Sequence, residues 1–435
     1  MNLSQYARRL YENSQLNTNE VFLLVAAFFM NLGVDIGYFL GFVGYAAYGF
    51  GGKVNIIATA MGILSAFYMI GSLLGGILID RIGPRHATFF SSIAMVGVCF
   101  AVQLMAGHLM VFLIMTALYG LVGALLQSSF AAFAPYLSRE RDGVRRINSY
   151  MTTCMFSATI FGGLLGVLIT TTFTHLSLFW MVAFVVAISG VLVLSVHEKY
   201  SPHEADGEPG VTGEQDAVKT SHPLRGALEG WKLIRGSSAL RFYLLIAIAM
   251  WFCFGAFDAL ESLYYKDILL VPVSWMGWIN SIAGVGFAIG AFSLSRIPSK
   301  FISAFLLVVL LAFEGATSVL YVSTTSRYWS AFGIFLLAIT YGIADPLMRT
   351  LVQADSPLSV VGRVMGTVDM IRKGFTFVPL LIAPLLYRLW GVQPVLIGAS
   401  LTTIVMALSL YPASRRLDEA VETAGTRHLE QADAR

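Results

Sequence analysis

Runs of about 20 apolar residues, the length a helix needs to cross a bilayer, recur along this whole chain. They fall near 21–49, 54–79, 87–106, 109–136, 148–172, 175–196, 241–265, 274–295, 301–323, 328–353, 364–388 and 392–412. One soluble core has no room for twelve such helices in succession. Charged residues make up 12% of the 435 positions, half of the roughly 25% usual in soluble domains, and mean hydropathy is +0.74. The pattern predicts an all-α polytopic membrane protein with twelve transmembrane helices, numbered here as spans one to twelve. The net charge of +3 gives no sign of nucleic-acid binding, and a lipid bilayer is the expected surrounding.

An even number of spans returns both termini to one side. Lys and Arg decide which. Arg81 and Arg85 follow span two; Arg139, Arg141, Arg145 and Arg146 follow span four; Lys199, Lys219, Arg225, Lys232, Arg235 and Arg241 lie between spans six and seven. Arg296 and Lys300, Arg363, and Arg415 and Arg416 follow spans eight, ten and twelve. The opposite loops hold only lone cations: Lys53, Lys266, Arg327 and Arg388. Positive residues favour the cytoplasmic side, so both termini are expected there, in a bacterial inner membrane. The first twenty residues are polar and the apolar run after them is too long for a signal core, so no cleavable signal peptide is expected.

The longest polar stretch divides the spans six and six. The expected organisation is a six-helix bundle at 1–197, a cytoplasmic linker at 198–240, and a second bundle with a short tail at 241–435. His203 to Ser221 is rich in Glu, Asp, Gly and Pro and reads as disordered. Leu224, Leu228 and Trp231 then share a helical face, with Arg225, Lys232 and Arg235 around it. That pattern fits a helix lying on the membrane surface and equally a solvated linker helix.

The halves are repeats. Tyr119, Gly120, Pro135 and Arg141 recur as Tyr341, Gly342, Pro357 and Arg363, every pair 222 positions apart. Arg81-Ile82-Gly83-Pro84-Arg85 has a degraded echo in Arg296-Ile297-Pro298-Ser299-Lys300, with Ser295 where Asp80 would stand. Two pseudo-symmetric six-helix bundles are a signature of secondary transporters, whose substrate site lies between the repeats near the midplane.

Gly76, Asp80, Arg81, Gly83 and Arg85 match G-x-x-x-D-R/K-x-G-x-R/K, and with the repeat the chain resembles the major facilitator superfamily. Glu229-Gly230-Trp231, Ala239-Leu240-Arg241 and Leu263 to Leu269 are similar to the branch of macrolide-efflux and enterobactin-exporter-type proteins. Two departures stand out. Span four lacks the arginine usual in the proton-coupled drug antiporters. Span five has Gly162, Gly163 and Gly166 but not their Gly-Pro pair. The resemblance implies that the loop carrying Gly76, Asp80, Arg81, Gly83 and Arg85 docks on the start of span eleven when the cavity faces outward. Asp369 is then the candidate partner of Arg81 or Arg85. A charge pair made in one state and broken in the other biases the equilibrium between them.

No catalytic constellation, phosphate loop or metal pattern is present. Cys99, Cys154 and Cys253 all sit in apolar runs without CxxC spacing. Neither enzymatic activity, nor a cofactor, nor a metal is expected. The chemistry lies in charges within spans. An Asp at a helix centre costs about 2.5 to 3.5 kcal/mol on insertion scales, so such residues face cavities, pair, or carry protons. Asp35 stands about 20 Å into span one at 1.5 Å per residue. Asn31, Asp35, Tyr38, Phe42 and Tyr45 follow helical spacing on one face, an aromatic wall with one acid that suits an amphiphilic or cationic ligand. Span seven offers Trp251, Phe254, Asp258, Glu261 and Tyr265 on one face. Asp258 and Glu261, three apart, can approach each other, and close carboxylates resist ionising together. In span ten, Tyr341 and Asp345 are cavity candidates, and Asp345 is set to pair with Arg349 four residues on. Asp369, Arg372 and Lys373 open span eleven as interface charges, and Glu314 in span nine is set aside as structural.

The expected function is secondary transport by alternating access. The substrate is an amphiphilic small molecule, drug-like or a secreted metabolite such as a siderophore, exported against protons by a monomer. Asp35, Asp258 and Glu261 are the coupling candidates. Proton-coupled uptake of a nutrient or siderophore is the alternative.

Overall fold

The computed structural model describes residues 16–50, 53–104, 108–138, 141–174, 176–197, 223–294, 296–298, 301–356 and 361–433. Among these residues, twelve helices are long and apolar enough to cross a membrane: Thr18–Tyr48, Val54–Ser72, Arg81–Val102, Leu109–Ala131, Tyr150–Thr172, Ser177–Leu194, Ser238–Ile268, Ser274–Leu294, Ala304–Val322, Arg327–Val352, Val364–Trp390 and Val392–Glu419. They are spans one to twelve, and the sequence pattern located each of them. The acidic stretch from His203 to Ser221 and the echo residues Ser295, Ser299 and Lys300 lie outside the described residues.

The chain forms two compact units. One is Met1–Tyr45 with Ile63–Gly210; the other is Ala46–Gly62 with Val211–Arg435. The end of span one and the start of span two, Ala46–Gly62, thus join the second unit. Polar contacts at the span ends explain the transfer. Tyr48 Oη donates to Val271 O at 3.0 Å, and Lys266 Nζ donates to Ala47 O at 3.2 Å.

In the first unit, span one packs against spans five and six, where Ser189 Oγ donates to Ala26 O at 2.8 Å. In the second, span nine packs on spans ten and twelve, span eight on span ten, and span seven on span eleven. The sequence repeat has a structural meaning. A Cβ at Gly120 would stand 2.4 Å from Leu64 O of span two, and one at Gly342 would stand 2.6 Å from Phe287 O of span eight. Each half therefore uses its glycine to let two backbones touch, as close helix pairs in membranes require.

The charged turn between spans two and three is tight. Gly83 has φ 77° and ψ 161°, inside what is otherwise one run of helix, Val54–Leu104. Only glycine occupies that region without strain, and Pro84 then starts the next helix with its fixed φ.

Two short departures from α geometry matter for the site. Span one turns π-helical at Gly37–Val43. Span seven is interrupted at Cys253, between Ser238–Phe252 and Phe254–Leu263, and ends π-helical at Tyr264–Ile268. The linker contributes a helix, Pro223–Gly236, with Leu228 and Trp231 exposed on it and Ile234 buried in the core of the second unit.

Candidate functional site: intramembrane charges in each unit

In the first unit, Asp35 is half-buried, two residues before the π-helical segment. A π turn loosens the regular ladder, and Tyr119 of span four answers it: its hydroxyl donates to Val34 O at 2.9 Å. Tyr38 is also half-buried, and Asn31 Nδ2 donates one turn back to Ala27 O at 2.8 Å. Phe42 departs from the expected wall. It is fully buried, with ring centroids 4.7 Å from Tyr119, 5.0 Å from Phe179 and 5.7 Å from Phe112. Phe42 lies inside the π segment Gly37–Val43, where the angular step between side chains differs from that of an α-helix, so the α spacing that pairs it with Asp35 does not carry through.

The second unit gathers Trp251, Phe254 and Tyr341. Trp251 lies 5.5 Å from Phe254 and 5.7 Å from Tyr341, and Phe287 lies 5.6 Å from Tyr341. At the break after Trp251 its carbonyl takes a hydrogen bond from Thr376 Oγ1 of span eleven at 3.3 Å. Asp258 is half-buried. Glu261 accepts a 2.6 Å hydrogen bond from Tyr321 Oη of span nine. Tyr265, expected on the cavity wall, is fully buried, its hydroxyl against that of Tyr321. It stands second in the π segment Tyr264–Ile268 and, with Glu261 one turn before it, meets the Tyr321 hydroxyl.

Asp345 makes the expected bond to Arg349, at 2.9 Å, and belongs to a larger network. Arg372 Nη1 lies 2.9 Å from its other oxygen. Asp369 closes the circuit, 2.8 Å from Arg372 Nε and 3.5 Å from Arg349 Nη1. The Arg372–Asp369 contact is an ion pair without an aligned hydrogen bond. Arg372 is only 6% exposed and stands 4.7 Å above the Trp251 ring. Two acids and two arginines of spans ten and eleven thus neutralise one another beside the aromatic cluster.

The sequence places Arg372 among the interface charges at a span start, yet its neighbours bury it. Tyr321 escapes sequence reasoning because nothing local distinguishes it from any aromatic near a span end. Glu314, set aside as structural, is 3% exposed, and its Oε2 has no hydrogen-bond partner among the described residues.

On the span 2–3 turn, Arg81 is exposed, and Arg85 reaches Leu194 O at the end of span six. Gly76 lies in the helix before the turn, and the Asp80 side chain is outside the described part. Turn geometry, repeat and intramembrane charges agree with comparison to known families, where the model described as Major Facilitator Superfamily matches residues 21–378.

The chain belongs to the Major Facilitator Superfamily.

Membership makes it a transporter rather than an enzyme. Solved structures similar to it are also transporters. They include the nucleoside transporter NupG, 11% identical over 91% of this chain and 100% of that one, TM-score 0.67. The POT family transporter PepTSo is 12% identical over 93% and 99%, TM-score 0.69. A bacterial homologue of the human lysosomal transporter Spinster, in an inward-facing and unoccupied conformation, is 12% identical over 93% and 98%, TM-score 0.66. At these identities the likeness establishes the superfamily fold alone. Among curated proteins no match is found.

Proposed function

We propose that this superfamily member couples proton movement to export of an amphiphilic small molecule, through alternating access of its two halves. Asp35 is the observation that carries the reading. A half-buried carboxylate in span one is costly in a bilayer, and the residue after it, Ile36, leads into a segment without regular α geometry. Such an acid can take up or release a proton as its surroundings change, and local backbone freedom helps them change. Asp258 and Glu261 are the corresponding acids of span seven. Trp251, Phe254 and Tyr341 offer aromatic surface to an amphiphilic ligand. The sequence resemblance to macrolide-efflux and enterobactin-exporter-type proteins supports export.

In the same reading the protein is a monomer of the bacterial inner membrane with cytoplasmic termini. The span 2–3 motif, with Gly76, Asp80, Arg81, Gly83 and Arg85, is one side of a state-dependent latch, and Asp369 is the other. Arg349 and Arg372 already engage Asp369, so latching competes with pairs inside the second unit.

Flux of ethidium, an amphiphilic cation, in proteoliposomes with an imposed pH gradient tests this. Accumulation against ethidium's own gradient, with proton counterflow, is the expected result. Flux indifferent to the pH gradient removes proton coupling, and proton-driven movement with the opposite stoichiometric sign replaces export by uptake.

A further inference from the structure

The hydroxyl of Tyr321 has two neighbours of unlike kind. It donates to Glu261 Oε1 at 2.6 Å, and the hydroxyl of Tyr265 lies against it. Both phenols are fully buried, with no exposed surface, so neither can exchange its partner for water. Tyr321 is clamped at ring and backbone. Phe257 stacks on it with centroids 6.2 Å apart and planes 17° apart. Tyr264 Oη donates to Tyr321 O at 3.0 Å and to Thr324 O at 2.7 Å. From span twelve, the uncharged Gln393 donates to Val322 O at 3.0 Å. The titratable groups bearing on Glu261 are Tyr321 from span nine and Tyr265 from its own span, with Asp258 three residues before it.

A phenol in this position has two hydrogen-bond settings. With Glu261 ionised, Tyr265 donates to Tyr321 and Tyr321 donates to Glu261. With Glu261 protonated, the carboxyl can donate to Tyr321, which then donates to Tyr265. No atom has to move far, because each hydroxyl both donates and accepts. A hydrogen bond that favours the ionised form adjusts the pH at which the acid takes its proton.

We propose that Tyr321 is a positioning residue for proton uptake by Glu261, and that Tyr265 orients the Tyr321 hydroxyl. This deepens the proton-coupling reading and rests on it. The proposal ties an acid of span seven to span nine, so the protonation state of Glu261 is felt at the joint between those helices.

Infrared titration of the full-length protein in lipid tests it without knowledge of the substrate. The carboxyl band of Glu261 is assigned by its loss in Glu261→Gln. In Tyr321→Phe, which keeps the ring and removes the donor, the midpoint of that band should shift by about one pH unit. Tyr265→Phe should shift it by less. Ser318→Ala removes a buried hydroxyl of span nine that bonds Ser400 instead and should leave the midpoint in place. An unchanged midpoint in Tyr321→Phe, an equal shift in Ser318→Ala, or no titrating Glu261 band would each overturn the proposal. If the shift holds while ethidium flux ignores the pH gradient, the positioning role stands and the coupling reading falls.

Discussion

Arg372 of span eleven is held 2.9 Å from Asp345 of span ten, with its guanidinium over Trp251 and almost no exposed surface. Removing one partner of a buried pair leaves an uncompensated charge, which is worse than having neither. Asp345→Asn should therefore destabilise the protein by about 2–3 kcal/mol. Asp345→Leu with Arg372→Leu should recover part of that loss. Cys99 and Cys253 are buried and free, so a thiol-reactive dye reports unfolding on heating. A single variant that melts like the wild type contradicts the pairing.

Gly83 sets the span 2–3 turn with φ 77° and ψ 161°. A side chain there is strained by about 1–3 kcal/mol. Gly83→Ala should lower the melting temperature, whereas Ile82→Ala, at an exposed neighbour, should leave it nearly unchanged. Equal melting of Gly83→Ala and wild type would show that the turn does not need glycine.

Asp418, far along the last helix, caps the start of span nine. Its carboxylate accepts from Ala304 N at 3.0 Å and Phe305 N at 2.9 Å. An acid on the free N–H groups of a helix start is favourable by charge and by hydrogen bonding. Asp418→Ala should cost about 1 kcal/mol and speed hydrogen exchange at the Ala304 and Phe305 amides. Unchanged exchange would contradict the cap.

The twelve spans and the six-plus-six repeat were legible because hydrophobic length and the 222-residue spacing of matched residues can be read directly along the chain. The Tyr119 and Tyr341 equivalence was legible too, since Gly120 and Gly342 repeat beside it and both bring backbones together. The site was read less completely. The spacing of Asn31, Asp35, Tyr38 and Phe42 assumes an unbroken α-helix, and the π segment at Gly37–Val43 breaks that assumption at Phe42. Tyr265 keeps the face of Glu261, and both meet Tyr321. Arg372 and Tyr321 owe their roles to partners on other helices, at Asp345 and Glu261. No periodicity within one span encodes such a contact.

Asp369 pairs with Arg372 at 2.8 Å and Arg349 at 3.5 Å and is the proposed partner of the span 2–3 turn. Asp369→Asn removes its charge from both arrangements. Cysteine cross-linking between the two halves should then show an altered ratio of inward- to outward-facing forms, with Arg81→Gln shifting it the same way. Identical cross-linking in all three proteins would remove the latch.

The central claim is that an acid within the membrane links proton movement to transport, and Asp35 is its foremost candidate. The most direct test is ethidium flux in proteoliposomes under an imposed pH gradient, wild type against Asp35→Asn, with ethidium exchange at equal pH as the control. Asp35→Asn should lose gradient-driven accumulation by about tenfold or more, the equivalent of about 1.4 kcal/mol of lost coupling, while exchange at equal pH continues. Gradient-driven accumulation at the wild-type level in Asp35→Asn would contradict the claim.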